Sequence, residues 1–260
     1  MKRVDINCDM GESFGAYRIG MDEEVLPYIT SANIACGFHA GDPLVMKRTV
    51  AMAAARGVSV GAHPGFPDLM GFGRRIMECD VEEIRDYVTY QVGALRAFCD
   101  ALKVKMQHVK PHGSLYNMAV GNEGITRAII EAIASIDDDL IYVALAGGNA
   151  VMTGKIAEES GISAAFEAFP DRAYTRQGTL ASRKQPGSVI KDPQEAADRA
   201  LMMARDGKVT AEDGSIIEIE VHTLCVHGDN PAAVDLVRLI KKTLESSAVE
   251  VIPMGSFIQG

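Results

Sequence analysis

Asp5-Ile6-Asn7-Cys8-Asp9-Met10-Gly11-Glu12 is the stretch that decides how the strands of this chain are arranged. Val4–Cys8 reads as a strand. Period-two alternation then puts Asp5, Asn7 and Asp9 on one face and Val4, Ile6 and Cys8 on the other. An open, doubly wound sheet usually carries a Gly-rich nucleotide turn after its first strand. Asn7 through Glu12 is not such a turn, so the stretch points to a closed barrel.

Six further strand-like runs extend the pattern: Ala32–Cys36, Val58–Ala62, Lys105–Lys110, Leu140–Ala146, Ala164–Ala168 and Thr223–Val226. Most are followed by a helical stretch, and such alternation implies βαβ units and a parallel sheet. Helix starts repeat one device: Asp42-Pro43, Asp192-Pro193 and Asn230-Pro231 each set a capping side chain before a proline. Asp80-Val81-Glu82-Glu83 resembles a capping box, and its helix should reach about Leu102. Gly57, Gly161 and Gly207 sit where left-handed C-terminal caps belong. The expected fold is therefore α/β, a parallel (β/α)7 TIM-like barrel forming a single domain over 1–260. Two segments depart from the repeat. A basic loop at 170–191 has the length of a lid or binding loop, with a solvated surface loop as the alternative. A hairpin insertion near 208–220 turns at Asp213-Gly214.

Hydrophobic residues make up 47% of the chain, enough for a sizeable core, and the formal net charge is −9. That balance argues against nucleic acid, which wants a basic face. No apolar run of about 18 residues exists, so no membrane partner is expected. The five cysteines form no C-x-x-C pair, which argues against a disulfide framework and a zinc finger. With no apolar signal segment after Met1, a cytoplasmic location is expected.

Ionisable groups gather where a parallel sheet should be apolar. Ser59, Gly61 and His63 share one strand face, and His108, Lys110 and His112 share another. Glu167 ends the sixth run and His227 follows the last. Charge there costs desolvation, and barrel active sites gather at the C-terminal ends of strands. A hydrogen-bonded structural core is the alternative for any single histidine. His39 lies among Gly37 and Gly41, where backbone can approach a ligand closely, while Asp42 reads as a helix cap. Asp9, Glu12 and Glu167 are candidate general bases. Lys110 suits an oxyanion stabiliser or an ion pair with Asp9 or Glu167. Arg74 suits a grip on carboxylate or phosphate. Metal ligation is a rival use, with Asp9, His39 and His63 as the candidate set, although no H-x-x-x-H or H-E-x-x-H pair occurs. Asn149 to Lys155 looks superficially like a P-loop but fails its spacing, and no G-x-S-x-G marks a serine nucleophile. Ser114 reads as a local hydrogen bonder.

Together, the segments Asp5 through Glu12, Ala32 through Pro43, Gly61-Ala62-His63-Pro64-Gly65 and Gly71-Phe72-Gly73-Arg74-Arg75 resemble the LamB/YcsF family. So do Val109-Lys110-Pro111-His112-Gly113, Glu167 through Tyr174 and Val226-His227-Gly228-Asp229. The resemblance covers essentially the whole chain. Phe66 and Ser114 depart from the family's more frequent Tyr and Ala. The resemblance implies a seven-stranded barrel of the glycoside hydrolase/deacetylase-like kind. It implies the A subunit of an ATP-dependent 5-oxoprolinase, opening the lactam of 5-oxoproline to glutamate with ATP as co-substrate and the B and C subunits as partners. On that reading Asp9, Glu12, His39, His63, Lys110, His112 and Glu167 carry catalysis. Asn7, Asn33, Arg74, Asp171, Arg172 and His227 hold substrate. The alternatives are a metal-dependent carbohydrate deacetylase and a non-catalytic substrate-binding subunit. The lack of any Trp disfavours a sugar site.

Overall fold

Residues 1–182, 184–228 and 231–258 are described in the computed structural model. Arg183, Asp229 and the expected Asn230 cap lie outside them. The strands are β1 (Lys2–Met10), β2 (Ser31–Ala35), β3 (Ser59–His63), β4 (Met106–Val109), β5 (Ile141–Leu145), β6 (Ser163–Ala168), β7 (Lys208–Thr210), β8 (Ile216–Glu218), β9 (Thr223–Val226) and β10 (Val249–Val251). Parallel pairing runs β1-β2-β3-β4-β5-β6-β9 and returns from β9 to β1. Seven parallel strands therefore close into a barrel. β7 and β8 form an antiparallel hairpin outside it, turning at Gly214.

The helices are α1 (Asp22–Val25), α2 (Pro43–Ala55), α3 (Val81–Leu102), α4 (Gly113–Ala119), α5 (Glu123–Ile136), α6 (Ala150–Glu159), α7 (Pro193–Leu201) and α8 (Pro231–Ser246). Local chemistry sets their starts. Asp42 accepts from the N–H groups of Leu44 and Val45, and Asp192 from that of Glu195. Asp80 and Glu83 form the capping box of α3, which ends at Leu102. Gly57, Gly161 and Gly207 all have positive φ. Among the described residues no helix is long and apolar enough to cross a membrane.

The two faces of β1 divide the molecule. Val4, Ile6, Cys8 and Met10 are buried in the main apolar cluster, between barrel and helices. Asp5, Asn7 and Asp9 take part in the polar barrel interior at successive depths. At the bottom, Asp5 accepts hydrogen bonds from the hydroxyls of Thr30, Ser31 and Thr223 at 2.7, 2.6 and 2.5 Å. The backbone N–H of Met254 adds another. Burial pushes the Asp5 carboxyl up to about 6, against these hydrogen bonds.

One layer higher, Asn7 Nδ2 donates to Thr223 Oγ1 and Asn33 Nδ2 donates to Asn7 Oδ1, both at 2.7 Å. His108 Nε2 meets Asn33 Oδ1 at the same distance. Gly61 makes room for this ring: a Cβ there would lie 2.2 Å from His108 Nε2. β10 pairs with Lys2–Val4 of β1, and the turn after it brings Met254 against Ile141, Val143 and Ala165. That turn, Met254–Ser256, plugs the N-terminal end of the barrel.

Candidate active site

The top interior layer carries charge. Lys110, just past β4, sits between Asp9 at 2.9 Å and Glu167 at 2.8 Å. The lysine is 3% exposed and Glu167 fully buried, so both ionic groups depend on each other rather than on water. Burial opposes charge on Lys110, yet Asp9, Cys225 and Glu167 hold its ammonium well above the usual lysine range. Burial likewise opposes charge on Asp9, but His63 and Lys110 hold it well below the usual carboxylate range. Both directions describe a zwitterionic cluster that stays ionised near neutral pH.

Three imidazoles stand beside it. His63 Nε2 is 3.3 Å from Asp9 Oδ2 and 3.0 Å from His112 Nδ1. The rings of His39 and His112 stack in parallel at 3.7 Å. Glu12 Oε1 lies 4.0 Å from His39 Nε2 and 4.0 Å from His112 Nδ1. Burial pushes His112 down to about 3, and His39 well below the histidine range, so both rings are neutral at pH 7. The loop after β3 closes over these rings. Gly73, with φ +62°, permits this: a Cβ there would lie 2.7 Å from His39 Cβ and 2.8 Å from His112 Cδ2. Ser114 holds the same loop by donating to the carbonyls of Gly73 and Arg75. Asp68 accepts from Arg75 and from the N–H of Gly71.

The cluster opens into a cavity of about 820 Å³ lined by Asp9, Glu12, His63, Lys110 and His112 at its floor, and by Arg74, Arg172 and His227 higher up. Arg74 lies over the Phe72 ring, 4.9 Å from its centroid. Arg172 donates to the carbonyls of Ser188 and Ala181, which pins the 170–191 loop as a wall of the cavity. Asp171 meets His227 Nδ1 at 3.0 Å.

All seven residues expected to carry catalysis thus converge at one rim. The six expected to hold substrate do not. Arg74, Arg172 and His227 line the cavity, and Asp171 acts through His227. Asn7 and Asn33 are fully buried one layer down and do not line it. They position Asp9 and Lys110 instead: Asn33 Nδ2 donates to Asp9 Oδ1 at 2.8 Å, and Lys110 Nζ donates to Asn7 Oδ1 at 3.3 Å. The candidate metal set shifts as well. Asp9 is taken up by Lys110 and Asn33, and Glu12 and His112 join His39 and His63.

Sequence reading passed over Tyr116, Phe169 and Cys225. Tyr116 and Phe169 line the cavity, and Lys110 Nζ donates to Cys225 Sγ at 3.2 Å. Cys225 does carry a signal in the sequence: it shares a strand face with Thr223 and His227.

Fold and site together define a (β/α)7 barrel protein with an acid–base pocket at the C-terminal rim of its strands. The pattern of the LamB/YcsF family matches residues 4–259, and the chain belongs to that family. The 5-oxoprolinase A subunit of Pyrococcus furiosus is 54% identical over 257 residues, spanning 99% of this chain and 100% of that protein. The 5-oxoprolinase A subunit of Syntrophobacter fumaroxidans is 53% identical over 98% of this chain and 99% of that one. The crystal structure of a lactam utilization protein from Thermus thermophilus superposes with a TM-score of 0.89 at 47% identity, covering 96% of this chain and 99% of that one.

Proposed function

We propose that this chain is the lactam-opening subunit of an ATP-dependent 5-oxoprolinase, converting 5-oxo-L-proline to L-glutamate while ATP is cleaved to ADP and phosphate. One observation carries the reading: an ammonium held between two carboxylates on the floor of a large polar cavity. Whole-length relatives named for that activity support it.

A five-membered lactam is a stable amide, and transfer of phosphate to its carbonyl oxygen makes the carbonyl carbon more electrophilic. Asp9 or Glu167 orients the attacking water, whose oxygen bonds to that carbon. Lys110 stabilises the negative charge that develops on oxygen. The carbon–nitrogen bond then breaks, the ring nitrogen takes a proton relayed through His63, His112 and His39, and a second water hydrolyses the resulting γ-glutamyl phosphate to glutamate and phosphate. Arg74 or Arg172 grips the substrate carboxylate. The cavity is far larger than a lactam needs, which leaves room for a phosphorylated species or an inserted partner segment. The sequence has no phosphate-cradling loop, so the nucleotide step falls to the partner B and C subunits or to the cavity's own cations. The free cysteines fit a reducing compartment, and the cytoplasm is the proposed location.

Reconstitution tests this. The chain alone, and then with its B and C partners, is assayed for glutamate from 5-oxoproline and ATP. Glutamate release should need all three proteins and ATP. Full turnover by complexes carrying Lys110→Ala or Glu167→Gln would sink the assignment.

A further inference from the structure

We propose that Glu12, His39, His63 and His112 form a binding site for a divalent first-row transition metal, with Zn²⁺ the best match. Backbone contacts fix the tautomers of two of the rings. His63 Nδ1 is 2.7 Å from the carbonyl oxygen of Lys110, and His112 Nε2 is 2.8 Å from that of Phe72. A carbonyl only accepts, so each of these nitrogens must carry the ring proton. The opposite nitrogens, His63 Nε2 and His112 Nδ1, are the ones without a backbone partner. These two atoms face each other at 3.0 Å. Two imidazole nitrogens this close, with Asp9 Oδ2 3.3 Å from one and Glu12 Oε1 4.0 Å from the other, need a cation between them, either a proton or a metal ion.

His39 supplies an independent observation. It is fully buried, and among the described residues neither of its ring nitrogens has a hydrogen-bond partner. An unsatisfied imidazole in the interior is costly, and a metal bond would satisfy it. The carboxylate of Glu12 completes the set. One donor atom from each of the four residues lies within 4.8 Å of every other. Tetrahedral zinc bonds of about 2.0–2.2 Å put donor atoms roughly 3.3–3.6 Å apart, so His63 Nε2 and His112 Nδ1 at 3.0 Å would part slightly while the wider pairs draw in.

The chemistry of the set selects the ion. Three imidazoles and one carboxylate suit Zn²⁺, Co²⁺ or Ni²⁺ better than Mg²⁺ or Ca²⁺, which want oxygen ligands. Backbone carbonyls that fix the outer nitrogens of ligating histidines are the usual support of such sites. Glu12, His63 and His112 also line the cavity, so an ion held here would be reachable by a bound molecule. An ion bound here would occupy His63 Nε2 and His112 Nδ1, so these rings would not relay protons while it is bound; binding is nevertheless measured without reference to lactam opening.

The test reads metal, not turnover. Protein purified without chelator is measured by elemental analysis. Stripped protein is then titrated with Zn²⁺ by calorimetry and with Co²⁺ by visible absorption. One equivalent should bind, with the intense visible bands of tetrahedral or five-coordinate Co²⁺ and a raised Tm. Glu12→Gln and His112→Ala should each weaken affinity by at least the roughly 10–100-fold that loss of a supporting partner costs, while circular dichroism establishes that they fold. His222→Ala, at the far end of the barrel, should bind like the parent. The proposal is overturned by the absence of stoichiometric binding at micromolar metal, or by equal binding in all the variants. A metal-free parent whose NMR spectrum shows a proton shared between His63 and His112, unmoved by added Zn²⁺, would equally overturn it.

Discussion

The two ends of the barrel interior are built from similar materials and finished differently. At the bottom, one buried carboxylate, Asp5, is surrounded by three hydroxyls and a backbone N–H. At the top, Asp9, Glu12 and Glu167 share one lysine and three histidines, and His39 is left without a hydrogen bond among the described residues. Both ends bury polar groups at a cost. Only the bottom completes its hydrogen bonding, which makes it structural. The top stays charged and under-satisfied, which leaves it able to bind and react. Burial of a charge therefore says little about function in this barrel; what separates the ends is unspent bonding capacity that faces a cavity.

Lys110→Ala attacks the top most directly. It should lower glutamate release by the reconstituted complex by about 10³-fold, the scale of lost oxyanion stabilisation. It should also cost roughly 3–5 kcal/mol of stability, since two buried carboxylates lose their partner. Urea denaturation and a glutamate assay read the two effects separately.

Asp5→Asn attacks the bottom. The parent carboxyl titrates near about 6 in the fold against 3.8 in solvent, so the folded state favours its protonated form. The associated stability is fully present below pH 3.8 and is lost as pH rises through about 6. By pH 7 the loss amounts to about 3 kcal/mol. The amide is neutral throughout, and the neighbouring hydroxyls can rotate to accept from it. The variant should therefore gain stability over the parent at pH 7 and lose that advantage by pH 4, with turnover unchanged. A parallel Tm profile for both proteins across this range would remove the contrast between the ends.

Gly61→Ala probes the layer between them, where the new Cβ meets His108. It should cost about 1–3 kcal/mol in denaturant unfolding, as overpacking does. The smallest effect belongs outside the barrel. Asp80→Ala removes the capping box of α3, should cost about 1 kcal/mol and should leave turnover intact.

Most of the barrel was legible because its signals are local. Strict alternation in β1 placed Asp5, Asn7 and Asp9 on one face, and the Asp-Pro and Asp-Val-Glu-Glu starts marked α2, α7 and α3. Depth was not legible. Alternation tells which face a side chain takes but not its layer, which is set by the register between strands. Asn7 pairs with Ser31 and Asp9 with Asn33, and this stagger drops both asparagines below the cavity floor. Glu12 was picked out as a candidate base, but its place beside His39 and His112 was not legible. It follows Gly11 at φ +67°, where the backbone leaves the strand and alternation no longer applies. β10 was missed because three residues, Val249–Val251, carry too little pattern to announce a strand.

β1 is also the strand on which assembly in time depends. It bonds to β2 and β10 along one edge, and along the other to β9, which is made some two hundred residues later. While the chain is still emerging from the ribosome, that second edge has no mate and the ammonium of Lys110 has no Glu167 to meet. Such late, long-range pairing is slow and leaves strand edges open to wrong neighbours. A cell making this protein should therefore lean on chaperones until the last fifth of the chain is released, and shortened translation products should aggregate rather than retain partial activity.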